Sequence, residues 1–308
     1  MDDEAFRPVV LAPTYNNAGT LGDVLDRIRA GGLHAIVVDD GSRDGTAALL
    51  AGRRGGPHAG AITVLTHRRN RGKGGALRTG FAAAVRAGFT HAVTIDTDGQ
   101  LDPEEIPLLL AAARRSPEAL VIGRRDPRGP GYPRKSRIGR SISNGFVRLE
   151  SGVRVSDSQC GFRVYPLGLI RAVCCGAGHY EFETEILTRA GWAGCRVEEV
   201  TVTCRYLAAT ERVSHFRPFR DTVRGVLMHF YLTSRALAPF PRHPRWPESG
   251  PVAARVGGAP LWRLKAWISP AQAGWRLREG RVRQMEQARG QGDGDCGATS
   301  EPLRGVSA

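Results

Sequence analysis

The chain has 308 residues, 41% of them hydrophobic and 24% charged, and its 44 Lys+Arg against 30 Asp+Glu give a formal charge of +14. That is the composition of a globular protein long enough to bury a sizeable core, and it excludes a collagen, a disulfide-stapled miniprotein and wholesale disorder. The positive surplus calls for an acidic partner or surface (nucleic acid, anionic lipid or a phosphorylated substrate) without choosing among them.

Over the first 125 residues, short β-branched apolar runs alternate with amphipathic stretches. The runs at 8–13 (PVVLAP), 35–38 (AIVV), 62–65 (ITVL), 92–95 (AVTI) and 119–122 (ALVI) are expected strands, and 20–30, 44–53, 74–87 and 103–114 are expected helices. This rhythm predicts an α/β, Rossmann-like fold: a mostly parallel central sheet with helices on both faces, and ligands at the carboxyl ends of the strands. From 124 to 140 seven basic residues face one acid, Asp126, and the interrupted PRGPGYP predicts a loop. A strand-like run at 196–206 and a helix near 219–236 follow. Beyond 239 the sequence reads as a Pro/Arg-rich linker, then an amphipathic segment at 260–287, then a tail of disordered composition. The expected organisation is one domain over 1–238 with an appendage over 239–308.

The acidic start, MDDEAFRP, lacks the apolar core of a signal peptide, and the longest apolar window, 225–234 (GVLMHFYLTS), is too short to span a bilayer. The six cysteines form no CxxC pair, which favours reduced thiols. Both features fit a cytoplasmic protein that rests on a membrane without crossing it.

Four segments carry candidate chemistry. Asp96 and Asp98 end an expected buried strand at positions i and i+2, so their carboxylates point to one side. Two such acids repel each other and call for a hard divalent cation, Mg²⁺ or Mn²⁺, whose open positions suit phosphates; the plain alternative is a solvated Asp-x-Asp turn. Asp39 and Asp40 end the second strand, the topological position of a nucleoside contact, while Asp44 is expected to cap the next helix. NRGKGGA at 70–76 is a glycine turn entering a helix, where free amides and Lys73 predict an anion site. The basic loop at 124–140 overhangs the same end of the sheet, which favours an anionic small substrate over a duplex. In DSQCGFR, Asp157 is placed either to orient or deprotonate an acceptor or merely to open a strand. Cys160 lacks a nucleophile's His or Asn partner pattern.

These blocks, PTYNN (13–17), VVDDGSRDGT (37–46), NRGKGGALRTG (70–80), DTDGQLDPEEI (96–106), Arg125, DSQCGFRVY (157–165) and YEFETEILTRA (180–190), together resemble the family 2 glycosyltransferases. More narrowly they are similar to the dolichyl- and polyprenyl-phosphate mannose and glucose synthase group, over about residues 6–235. The resemblance implies a GT-A fold and an inverting, single-displacement transfer from a nucleotide-diphosphate sugar. By position it implies that Pro13, Tyr15 and Asp40 contact the nucleoside, and that Asp96, Asp98 and Gln100 hold the metal and diphosphate. It also implies that Arg125, with Arg137 or Arg140, binds the acceptor phosphate. Asn17 stands where the family usually has an acid, and Arg124 where it usually has a small residue. A phosphate acceptor is already a nucleophile and needs only positioning by arginines, whereas a hydroxyl acceptor makes Asp157 the candidate base.

The expectation is therefore a cytoplasmic, metal-dependent hexosyltransferase of cell-envelope biosynthesis at the inner face of the plasma membrane. It would move a hexose from a UDP- or GDP-sugar to a polyprenyl phosphate or related lipid or glycan, with no nucleic-acid partner. The rival readings are a sugar nucleotidyltransferase and a non-catalytic nucleic-acid-binding protein.

Overall fold

The computed structural model describes residues 6–54, 62–126, 134–206 and 217–238. The Val-, Ile- and Ala-rich runs form β1 (Pro8–Thr14), β2 (Ala35–Asp39), β3 (Ile62–Thr66), β4 (His91–Thr94) and β5 (Leu120–Arg125). β2 and β4 are buried along their whole length, which is why they read as continuous apolar stretches and not as alternating ones. Between the strands run α1 (Ala18–Ala30), α2 (Thr46–Arg54), α3 (Lys73–Arg86) and α4 (Ile106–Arg115), the last entered through a 3-10 turn at Pro103–Glu105. α1 buries Leu21, Val24, Leu25 and Ile28, the three-and-four spacing of a helical stripe.

Two further strands, β6 (Arg163–Pro166) and β7 (Val197–Val202), complete a seven-stranded sheet of order β3-β2-β1-β4-β6-β5-β7. All neighbouring strands are parallel except β6, which runs antiparallel to both β4 and β5. Right-handed crossovers place α1 and α2 on one face and α3, which returns past β1, on the other. The strand order reverses between β1 and β4, and a crevice opens at their carboxyl ends. Phe81 of α3, Tyr165 of β6 and Phe182 are fully buried, with ring centroids 5.1 and 6.3 Å from Phe81, and they join the second half of the chain to the first.

α5 (Arg134–Ser151) starts inside the segment expected to be a loop, because its basic residues fall on a helical surface. α6 (Leu167–Ala172), α7 (Phe182–Trp192) and α8 (Pro218–Leu237) follow, and α8 matches the expected helix. The linker, amphipathic segment and tail expected over 239–308 lie outside the described residues. No helix among the described residues is long and apolar enough to cross a membrane.

Candidate active site

The carboxyl ends of β1, β2 and β4 open into a cleft of about 770 Å³. Pro13, Tyr15, Asp40, Lys73, Asp96, Asp98, Gln100 and Arg125, segments far apart in sequence, all line it as expected. Asp157, Arg137 and Arg140 are not among its lining residues.

The acidic segment is held from behind by Thr97. This buried side chain donates to the Pro13 carbonyl (3.2 Å) and accepts from Asn17 Nδ2 (2.9 Å), while its own carbonyl accepts from Thr20 Oγ1 (2.6 Å). Asn17, in place of an acid, is thus a neutral bracket between α1 and the Asp-Thr-Asp turn. With Thr97 turned inward, Asp96 and Asp98 are left on the cleft side. Gln100 N donates to Asp98 Oδ1 (3.1 Å), and the Gln100 carbonyl accepts from Arg205 N (2.8 Å), so the turn is fixed at both ends.

Lys73 Nζ lies 2.6 Å from Asp96 Oδ1 and 2.8 Å from Glu183 Oε1. Burial works against its charge, but the two carboxylates outweigh burial and hold the ammonium above its ordinary pKa. Gly161 sits against this trio: a Cβ there would lie 2.6 Å from Lys73 Nζ, 2.7 Å from Asp96 Oδ2 and 2.9 Å from Glu183 Oε1. Asp96 still keeps 33% of its side chain exposed. Among the described residues no three His, Cys, Asp or Glu side chains cluster to hold a metal alone. Two carboxylates and the Gln100 amide at the cleft are instead a hard-oxygen donor set, one that fits a divalent cation completing its shell with phosphate oxygens.

The glycine turn departs from expectation. Asp40, nearly fully buried, accepts from His67 Nδ1 (2.6 Å), from Arg71 N (2.9 Å) and from Gly72 N (2.7 Å). Its acceptor capacity is taken up, so its carboxylate anchors the turn and is not an open nucleoside contact. Gly74 N donates to the His179 carbonyl (3.2 Å) and Gly75 N to the Gly178 carbonyl (2.8 Å). The amides expected to cradle an anion are therefore committed to protein carbonyls, and Lys73 is committed to carboxylates. The glycines serve close packing: Gly72 has φ +83°, and a Cβ on it would lie 2.1 Å from His179 Nδ1. Asp44 behaves as expected, accepting from Thr46 N (2.9 Å) at the start of α2 and from Ala18 N (3.1 Å).

Asp157 is also revised. Its side chain is completely buried and grips Arg125 through Nε (2.8 Å), Nη2 (2.9 Å) and the backbone N (3.2 Å). Arg140 Nη1 reaches the same carboxylate at 3.2 Å and the Arg125 carbonyl at 3.0 Å. Burial alone would raise the Asp157 pKa, but the bonds and charge of Arg125, then the charge of Arg140, lower it. A buried carboxylate held ionised by two guanidiniums is a poor base, so Asp157 positions Arg125. Arg140 is buried behind Arg125, Arg137 is exposed on α5 outside the cleft, and Arg124 donates to Thr201 Oγ1 (2.7 Å) on β7. Of the expected phosphate-binding arginines only Arg125 reaches the cleft. The buried Cys160 thiol is pushed up to about 12 by burial, consistent with an inert residue.

The remaining wall comes from residues given no role in the sequence reading. Tyr180 and Glu183 stand at the start of α7, and Arg217, Arg220 and Arg224 come from the first turns of α8. The spacing i, i+3, i+7 puts these three arginines on one helical face, a signal present in RPFRDTVR.

Residues 9–174, which carry the acidic segment, the glycine turn and the Arg125–Asp157 pair, match the family model described as glycosyl transferase family 2. The chain belongs to this family. It is 31% identical over 206 residues to the undecaprenyl-phosphate mannosyltransferase of Micrococcus luteus, covering 64% of this chain and 83% of that protein. It is 30% identical over 204 residues to the polyprenol monophosphomannose synthase of Mycolicibacterium smegmatis, covering 64% and 77%. Among solved structures, the mannosyltransferase PcManGT from Pyrobaculum calidifontis, in complex with GDP-Man and Mn²⁺, aligns over 92% of this chain and 80% of its own, with a TM-score of 0.51 and 19% identity. That likeness concerns architecture alone: this family 2 glycosyltransferase has the GT-A fold.

Proposed function

We propose that this glycosyltransferase moves a hexose from a UDP- or GDP-sugar to a polyprenyl phosphate or related lipid phosphate, by one inverting displacement, at the cytoplasmic face of a membrane. One observation carries the reading: a single cleft has an acidic end at Asp96 and Asp98 and a basic wall of Arg125, Arg217, Arg220 and Arg224. It can therefore receive a metal-bound diphosphate and a second phosphate together. The printed activities of the Micrococcus and Mycolicibacterium relatives support the acceptor class.

In this reading Pro13 and Tyr15 flank the nucleoside. Asp96, Asp98 and Gln100 would hold Mg²⁺ or Mn²⁺, whose charge would stabilise the departing diphosphate. Arg125, fixed by Asp157 and Arg140, and the α8 arginines would orient the acceptor phosphate, which attacks without a base. The domain doing this work is residues 1–238.

Nucleoside diphosphate release and lipid-linked sugar are measured with UDP- and GDP-hexoses, a short polyprenyl phosphate and either Mg²⁺ or Mn²⁺. The wild-type chain transfers sugar, and Asp98→Ala loses at least about 100-fold in rate. Equal rates in the variant, or in chelator, refute the metal assignment. Release of pyrophosphate instead points to a nucleotidyltransferase and refutes the proposal.

A further inference from the structure

Among the described residues, eleven of the twelve exposed large hydrophobic side chains lie on α5 and α8, with Leu108 the exception. Elsewhere the surface is ordinary, so the concentration on two helices needs a cause. On α5, Ile138, Ile142, Phe146 and Leu149 recur at helical spacing on one side, opposite the buried Ser143, Val147 and Glu150. On α8, Phe219, Val223, Val226, Leu227 and Phe230 form a second stripe; at 100° per residue they span about 100° of arc. The two stripes flank one seam. There Phe146 stacks on His229 at 4.7 Å, and Glu150 Oε1 accepts from His229 Nδ1 at 2.8 Å.

The charge around this face is one-sided. α5 carries five basic residues and one acid; α8 carries three basic residues and one acid, with Arg217 as its N-cap. Both acids are turned inward, Glu150 to His229 and Asp221 to Arg224. A second copy of the chain would meet this face with like charge. An anionic bilayer meets both of its properties at once. α8 also has a second side: Arg217, Arg220 and Arg224 line the cleft while its apolar stripe faces out. A helix with a cationic side and a Phe/Leu side lies in a bilayer interface and does not span it.

We propose that the paired apolar face of α5 and α8 is the surface by which this enzyme lies on an anionic membrane, with α8 at the bilayer interface and its arginines opening the cleft toward a lipid-borne phosphate. The inference rests on the lipid-acceptor reading for its purpose, but the docking itself stands on the exposed stripes and the charge. It moves the membrane contact from the Arg-rich end of the chain to the folded domain.

The test uses the full chain and a Leu227→Ser, Phe230→Ser variant. These side chains are 62% and 73% exposed and touch no part of the cleft, so thermal unfolding is expected to match the wild type. Sedimentation is measured with vesicles of phosphatidylglycerol and phosphatidylcholine, and with phosphatidylcholine alone, at low and high salt. The wild type co-sediments with anionic vesicles and releases with salt, and the variant's partition coefficient falls about 100-fold. Transfer to a short, water-dispersed acceptor stays equal in both chains, while transfer to acceptor embedded in vesicles drops in the variant. Wild-type chain left in the supernatant overturns the proposal. So does a variant that sediments like the wild type, which assigns the contact to residues 239–308, and so does a dimer that only the variant dissolves. Vesicle binding without transfer to any acceptor leaves the docking face standing and fails the functional reading alone.

Discussion

Replacing Asp157 by Asn separates a base from a positioning residue. The carboxylate is completely buried and holds Arg125 at 2.8 and 2.9 Å and Arg140 at 3.2 Å. Asn keeps the shape and one acceptor oxygen but leaves two largely buried guanidiniums without a counter-charge. Breaking a buried pair from one side costs about 3–5 kcal/mol, and the retained oxygen favours the lower end, about 3 kcal/mol. For a domain of this size that lowers Tm by about 6–12 °C. The effect also has a pH signature. The Asp157 pKa is lowered in the fold, so its contribution is complete above the unfolded carboxylate value, about 3.9, and is lost as pH falls below it. Calorimetry should therefore show the Tm gap at pH 7 closing toward pH 3, and acceptor KM should rise more than kcat falls. If Tm stays within about 1 °C of wild type while kcat collapses by about 10²–10⁴-fold at unchanged KM, Asp157 is a base and the positioning argument is wrong.

Gly161→Ala sets a methyl group 2.6 Å from Lys73 Nζ and 2.7 Å from Asp96 Oδ2. The side-chain ends must shift by a few tenths of an ångström or more, so kcat/KM is expected to fall about 10–100-fold with a stability loss of only about 1–3 kcal/mol; wild-type kinetics would show that the trio's geometry is not needed. His91 is held neutral by burial, with a pKa near 4, while its Nε2–H donates to the Pro117 carbonyl (2.8 Å). The unfolded chain takes up that proton below about pH 6.5, so stability falls by on the order of 3 kcal/mol as pH drops from about 6.5 to about 4. Urea midpoints of wild type and His91→Gln across this range check it, and identical slopes refute it.

The alternating half of the fold was legible because β1 to β5 and α1 to α4 carry their burial pattern locally. The antiparallel entry of β6 was not, since FRVYP says nothing about which neighbours it pairs with. The acids at 96 and 98 and Arg125 were found because their chemistry and strand-end position coincide. Asp40 and Lys73 were placed at the right cleft but given the wrong partners. Whether an acid or an amine faces a ligand or a protein group depends on what a distant segment supplies, here the 178–183 stretch and the amides at 71 and 72. The α8 arginines were missed because their helix was read only for its apolar window.

The single reversed strand has a consequence for how the two substrates sense each other. The peptide that feeds β6 starts at Asp157 beneath Arg125 and reaches Gly161 against Lys73 and Asp96 within five residues, with Thr94 Oγ1 bonded to the Gly161 carbonyl at 2.7 Å and Gly123 N to the Phe162 carbonyl at 2.7 Å. This short, doubly stitched ribbon leaves no hinge between the place where one phosphate arrives and the place where the other departs. A shift at one end is delivered to the other as a rigid displacement, so the enzyme is built to sense occupancy of both ends together.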